Sequence, residues 1–463
     1  MAEAKVTLKG WSVFLARLLL LLTLSFAIAG RPAAAQSILR DAETEALFKE
    51  MSRPIVQAAG LRPEDVQVVL IHDRSINAFV AGGQIVYIHS GLLAAADSAN
   101  EVQGVIAHEV GHITGGHVIR IHEGIKVATG IMLLSLVLGA AAMAAGAGEA
   151  GMGVMAAGQQ AAMGKFLAFS RTQESAADAA AASFLARSQT NGSGLLSFFK
   201  KLQNQEFRYA IPQDNGYMRT HPLTGERLAA LEQSVKSAPG WNSAPDQKLE
   251  ARFQRVKAKL SGYVEDPIRT RALYPESNKS VPARYARAYA WHKSAYPDKA
   301  LTEAESLLAE APTDPYFLEL KGQILLESGR PAEALESLRQ SVKYAPDQPL
   351  ISALLGHALI ATERPDHYEE AKRVLRAAIG RDNSNPFAWY QLGIVYDREG
   401  DPGRAALATA ERYNLQGEPR LALVNAEQAL RTVPSGTPDW LRAQDIAMVS
   451  RTEVEKKKKN RGN

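Results

Sequence analysis

A chain of 463 residues is too long for one core of ordinary size, because domains cluster at roughly 100–200 residues, so two or three are expected. Its 46% hydrophobic and 22% charged content is that of a globular protein, and a net charge of +4 provides no broad basic surface for nucleic acid. With no cysteine, thiol nucleophiles, thiolate metal ligands and disulfides are excluded, and any metal site must be built from His and carboxylates.

The N-terminus reads as an export signal. Lys5, Lys9 and Arg17 form a basic region, Leu18 to Ala29 is an apolar run of about a dozen residues, and Ala33-Ala34-Ala35 is a small-x-small cleavage site. Cleavage after Ala35 leaves Gln36 as the mature N-terminus. Residues 1–35 carry four basic side chains and one acidic, so the net charge falls from +4 to +1. The alternative is an uncleaved anchor, although the run is short for a span.

Asp41 to Ala59 carries Leu47, Met51, Ile55 and Val56 at helical spacing and predicts an amphipathic helix. Val66 to Ile71 predicts a strand. Asn77 to Val80 and Gln84 to Ile88 predict two more around a tight turn at Gly82-Gly83. Ser98 to Val118 reads as a helix with most of the local histidines, Phe166 to Leu185 as another, and Gly225 to Val235, opened by His221-Pro222-Leu223, as a third. Val127 to Gly148 is 22 residues without a charge, and Ala150 to Gly164 is a second uncharged run. The expectation for 127–164 is an apolar flap over the site or a membrane-surface hairpin. A pair of buried helices is the alternative. A single span comes last, because residues on both sides of the segment must meet at one metal. Pro239 to Pro245 loosens the chain, placing a boundary between 240 and 280. The expected layout is a catalytic domain over 36–250, a linker over 251–280, a repeat domain over 281–450 and a basic tail over 451–463, which reads as a solvated end.

The repeat rests on small residues. Ala288, Gly322, Gly356 and Gly393 are 34, 34 and 37 residues apart, and Ala300, Ala334 and Ala405 each follow a marker by 12. Ala371 follows by 15, which puts about three inserted residues near Pro365-Asp366-His367. Pro312 and Pro346 close the unit, and Trp389, Leu392, Gly393 and Tyr396 fit W-x2-LG-x2-Y. This is the tetratricopeptide signature: helix pairs packing closest at the small residues and stacking into a solenoid with a concave binding face.

His108 and His112 stand one helical turn apart, so both rings reach one zinc at ~2.0–2.1 Å. Glu109 between them is placed as the general base. Glu174 and Asp178 repeat the i, i+4 spacing on a later helix: one can bind the metal while the other holds a ligand histidine in orientation. Two His, one carboxylate and an open position describe catalytic zinc. His117, roughly 140° round a continuous helix from His112, falls off the metal-facing stripe and reads as surface or structural.

His108-Glu-Val-Gly-His112 and Glu174-x3-Asp178, with Ser75-Ile-Asn-Ala-Phe79, Gly91-Leu-Leu93 and His221-Pro222 followed by Arg227, resemble the HtpX-like and CAAX-endopeptidase group of gluzincins. With the export signal and the repeats, the chain resembles the BepA-like periplasmic zinc metalloproteases over nearly all its mature length. The resemblance implies an α+β zincin-like (gluzincin) metallopeptidase domain followed by an all-α tetratricopeptide-repeat solenoid. It implies one Zn2+ on His108, His112 and Glu174, and catalysis by Glu109. It makes His221 either a latch on the open metal position or a donor to the oxyanion. Asp178 and Arg227 support the ligands, and Asn77, Ala78 and Phe79 bind substrate by β-augmentation. It further implies a periplasmic endopeptidase of outer-membrane protein quality control, with unfolded or misassembled proteins as substrates. Outer-membrane assembly machinery would dock on the repeats. The rival expectation is a non-proteolytic chaperone or assembly factor acting through the repeats.

Overall fold

The computed structural model describes residues 37–145, 147–208 and 220–461; the export-signal segment 1–35 lies outside the described residues. Asp41 caps the first helix, α1 (Ala42–Ala58), by accepting from Thr44 N, and Leu47, Phe48, Met51, Ile55 and Val56 point into the core. Four strands form one small sheet: β1 (Ile38–Leu39), β2 (Gln67–Ile71), β3 (Ala78–Ala81) and β4 (Ile85–His89). Their order is β1-β2-β4-β3, with β2 and β4 parallel and the two outer strands antiparallel to their neighbours, so β3 is an edge. Gly82 and Gly83, at φ of 61° and 100°, make the turn between β3 and β4 where side-chain-bearing residues would be strained.

Helices α2 (Ser90–Ala95) and α3 (Ala99–Thr114) come next in the chain, followed by α4 (His117–Ala144), α5 (Gly148–Arg187), α6 (Ser193–Arg208) and α7 (Gly225–Lys236). Helix α3 is buried on every side, with Val102, Val105, Ile106 and Val110 in one core with α1, the sheet, α6 and α7. Helix α4 and the first half of α5 are different. They pair with each other as an antiparallel hairpin and leave most of their apolar side chains exposed, which sets aside the buried-pair alternative for 127–164.

Residues 251–280, expected as a linker, are largely helical. Helix α8 (Gln247–Val264) places Leu249, Phe253, Val256 and Leu260 in the core shared by α1, α3 and the sheet, and α9 (Pro267–Leu273) follows at once. Loop-forming residues at 239–245 end α7 but do not end the domain, because the apolar stripe of α8 is needed to close its core. Helix α8 also carries the joint to the repeats. Arg255 pairs with Glu43 of α1 and, at 2.6 Å, with Asp314. Lys259 meets Asp41 at 2.5 Å, and Tyr285 donates to Glu43 at 2.8 Å.

The repeats run from α10 (Val281–Lys293) through α11 (Pro297–Glu310), α12 (Pro315–Glu327), α13 (Pro331–Tyr344), α14 (Pro349–Ala361), α15 (Tyr368–Arg381), α16 (Pro386–Arg398), α17 (Pro402–Leu415) and α18 (Pro419–Thr432) to α19 (Pro438–Arg461). Pro312 and Pro346 sit in the turns after α11 and α13. A Cβ on Gly322 or Gly356 would come within 2.5 Å of Leu338 or Leu375, so these glycines mark the closest helix crossings. The extra residues at Pro365–His367 form a single 3-10 turn. The basic tail continues α19 as helix to Arg461. Between β1, α8 and the repeats lies a cavity of about 450 Å³ lined in part by Asp41, Lys259, Tyr289 and Glu319.

Candidate metal centre

Burying α3 on all sides carries His108, Glu109 and His112 into the interior, where each polar group needs a partner. Gly111 decides what that partner is. A Cβ there would lie 2.8 Å from the Ala177 carbonyl oxygen, so its absence lets α5 press against α3 and brings Glu174, one turn before Ala177, onto the two histidines. The Nε2 atoms of His108 and His112 are 3.1 Å apart. Glu174 offers Oε2 at 3.4 Å from His108 Nε2 and Oε1 at 3.4 Å from His112 Nε2.

His221 closes the ring. Its Nδ1 is 3.1 Å from both Glu174 oxygens and 3.3 Å from His108 Nε2. Its Nε2 is 3.3 Å from the Ala78 carbonyl and 3.6 Å from Glu109 Oε1. One ligand atom from each of His108, His112, Glu174 and His221 lies within 4.8 Å of all the others.

The donors fit one metal ion. Asp178 Oδ1 stands 3.0 Å from His108 Nδ1, which fixes the ring proton there in the neutral tautomer and turns the Nε2 lone pair toward the centre. Imidazole nitrogens facing one another at such distances cannot all donate, so their lone pairs converge on a point that suits a cation. Nitrogen and carboxylate donors without sulfur suit zinc.

Arg227 holds the support in place. Its Nε and an Nη donate to the two Asp178 oxygens at 2.8 and 2.9 Å, and the other Nη donates to the Pro222 carbonyl at 2.6 Å and lies 3.2 Å from Glu174 Oε2. One guanidinium thus ties α5 to the loop carrying His221. Burial disfavours the ionised form of Glu174, but the imidazoles of His108 and His221 set against its oxygens outweigh it and hold the carboxyl well below the usual range. Asp178 is held low in the same way by His108 and Arg227 against its burial. Glu109 is the opposite case. Burial pushes its carboxyl up, against the pull of His221 and His108, and among the described residues neither oxygen has a hydrogen-bond partner.

His117 departs from expectation. It is buried, and its Nδ1 lies 2.9 Å from His112 Nδ1. The 140° offset holds only for one continuous helix, but α3 stops at Thr114 and Gly116 turns left-handed at φ 62°. The ring then folds back across Gly115, where a Cβ would meet His117 Nε2 at 2.2 Å. The sequence signal is the Gly115-Gly116 pair, a helix breaker directly before the histidine. Asn77 and Ala78 are buried, Asn77 beside Thr220 and Ala78 against His221, whereas Phe79 lines a cleft of about 170 Å³ with Glu109, His112, Phe169 and Glu174.

Residues 39–235 match the profile of Peptidase family M48, and 296–349, 319–366 and 355–419 match that of a tetratricopeptide repeat. A Yersinia pestis protein named beta-barrel assembly-enhancing protease is 26% identical over 280 residues, 59% of this chain and 56% of that protein. Metalloprotease LoiP of Escherichia coli K12 is 32% identical over 180 residues, 38% of this chain and 64% of LoiP. A solved tetratricopeptide-repeat protein, YrrB, aligns over 39% of this chain and 94% of its own at 20% identity and a TM-score of 0.32. The chain spans 56–59% of the length of the first curated relatives it matches. Residues 39–235 thus form a domain that matches peptidase family M48 and holds a buried cluster of side chains able to ligate a metal, and tetratricopeptide repeats follow it.

Proposed function

We propose that this protein is an exported zinc endopeptidase of the periplasm that acts on unfolded or misassembled outer-membrane proteins. The observation that carries this reading is the convergence of His108, His112 and Glu174 beside a buried carboxyl, Glu109, whose oxygens have no hydrogen-bond partner among the described residues. When bound there, zinc supplies Lewis acidity to a peptide carbonyl and makes water easier to deprotonate. Glu109 takes the proton of the attacking water on a carboxylate oxygen and delivers it to the leaving amide nitrogen. Burial shifts that carboxyl upward, which favours its taking up a proton. Asp178 and Arg227 hold His108 in one tautomer, and Glu174 keeps its charge to bind the ion.

His221 serves as a latch in this reading. Its Nδ1 crowds Glu174 and His108 while its other nitrogen takes up the Ala78 carbonyl, so one side chain blocks the open metal position and the backbone of the edge strand together. Swinging it out would free Ala78 and Phe79 on β3 to pair with an extended substrate. Substrates or assembly machinery are recruited by the repeats, as the name of the Yersinia pestis relative suggests.

Digestion of casein and of an unfolded barrel protein tests the reading. Wild type should cleave both and lose activity to a chelator, Glu109→Gln should cleave neither, and His221→Ala should cleave faster. Equal, chelator-insensitive digestion by wild type and Glu109→Gln would refute it.

A further inference from the structure

The outer surface of the α4–α5 hairpin is apolar around its circumference. Leu134, Val137 and Met152 are 60%, 66% and 68% exposed, and Leu133, Leu138 and Met163 accompany them. A helix that is apolar all round belongs in a protein core or in lipid. Only 11% of the most apolar stretch of α4 is buried, so the core is not its place. Six large apolar side chains this exposed on one hairpin are more than a water-facing surface ordinarily carries.

The legs are held together by small residues at three levels. A Cβ on Gly124 would strike Phe169 at 2.5 Å, one on Gly158 the Ser135 side chain at 2.0 Å, and one on Gly139 the Gly151 carbonyl at 2.7 Å. Close backbone approach through Gly and Ser is how helices associate where no hydrophobic effect drives them together. These pairings also set Lys126 and Lys165 within a turn of the same level.

Length and charge then select the partner. From Val127 to the end of α4 at Ala144 the leg is about 27 Å long at 1.5 Å per residue, against roughly 30 Å for the hydrocarbon of a bilayer. Below it, exposed Arg120, Lys126, Lys165 and Arg171 form a collar in which, among the described residues, Glu123 is the one exposed carboxylate; at the far end stands Glu149 beside the turn. Cations at one rim, an uncharged shaft of bilayer length and a polar tip match anionic headgroups, acyl chains and the opposite interface.

We propose that the α4–α5 hairpin inserts into an anionic phospholipid bilayer up to the Lys126–Lys165 collar. Helix α5 runs unbroken from the shaft to Glu174, nine residues or about 13 Å beyond Lys165, and α4 begins at His117 beside His112. The metal cluster therefore stands within about 15 Å of the lipid surface, rigidly joined to the element that is inserted. Resting on the peptidase reading above, this makes chain segments emerging at the membrane surface the substrates within reach.

Flotation of the purified mature chain with vesicles of phosphatidylethanolamine and phosphatidylglycerol, or of phosphatidylcholine alone, tests insertion. Wild type should float with the anionic vesicles and remain bound in high salt. Leu134→Glu with Val137→Glu should float at least tenfold less while digesting casein as wild type does. Because the chain has no cysteine, a spin label on Val137→Cys reports depth directly, with Val424→Cys on an exposed repeat helix as the aqueous reference. The Val137 label should become accessible to oxygen and shielded from an aqueous nickel reagent. A Val137 label that stays aqueous among anionic vesicles would overturn the proposal. So would a wild type that ignores lipid but forms a concentration-dependent oligomer broken by Val137→Glu. Flotation without proteolysis would remove the peptidase reading and leave the insertion standing.

Discussion

Gly111→Ala tests whether the metal site depends on the close approach of two helices. The new Cβ would lie 2.8 Å from the Ala177 carbonyl oxygen and 3.0 Å from its Cα, where ordinary contacts begin at 3.4 Å. The clash is with backbone, so no rotamer change relieves it and α5 must retreat by about 0.6 Å. Glu174 is one turn from Ala177 on the same helix and retreats with it. The expected cost is about 1–3 kcal/mol of stability from overpacking, and a roughly 10–100-fold loss of zinc affinity from a displaced ligand. Gly104→Ala is the control on the same helix. Its Cβ would lie 2.6 Å from Leu195 Cα, against α6, which carries no ligand. Thermal denaturation of the metal-free chains and competition with a chromophoric chelator measure the two effects separately. Both variants should melt earlier, and only Gly111→Ala should lose zinc. Equal zinc affinity in the two variants would refute the argument.

His117→Ala leaves His112 Nδ1 without its 2.9 Å partner and should weaken zinc binding about tenfold in chelator competition, with Asp178→Asn doing at least as much through His108. Glu319, lining the cavity at the joint, is pushed up to about 8, chiefly by burial and then by Asp41 and Glu43 against the pull of Lys259. A carboxyl raised in the fold contributes stability that is complete below its unfolded value of about 4.5 and lost as pH rises through about 8. Glu319→Gln should therefore melt with wild type at pH 5 and above it at pH 9, by about 1–3 kcal/mol once screening by water in the cavity is allowed for. Identical melting of the two at pH 9 would show that the carboxyl is solvated. Arg255→Ala removes the pairing of Glu43 with Asp314 across the joint and should expose the connection after α9 to limited proteolysis, read by the appearance of a stable repeat fragment.

Features set by near neighbours in the chain are legible in the amino-acid sequence alone. His108 and His112 share a helix face because of their spacing. The 34-residue period of Ala288, Gly322 and Gly356 reflects a crossing that each helix pair repeats. Gly82-Gly83 marks its turn because only glycine adopts positive φ freely. What requires the folded chain is everything decided by an element packed from elsewhere. Periodicity says which face of a helix is apolar but not what covers it. The sequence therefore reads as a linker where α8 closes the N-terminal core, and it leaves the 127–164 hairpin open between burial and exposure. Glu174, 62 residues beyond His112, and His221, further still, reach the metal position only because Gly111 admits α5 and Arg227 ties the His221 loop to Asp178. His117 joins the site because a left-handed Gly116 breaks the helix on which its angle is reckoned. Ligand types and their local spacing are written along the chain; their convergence is a property of helix packing, which no local pattern encodes.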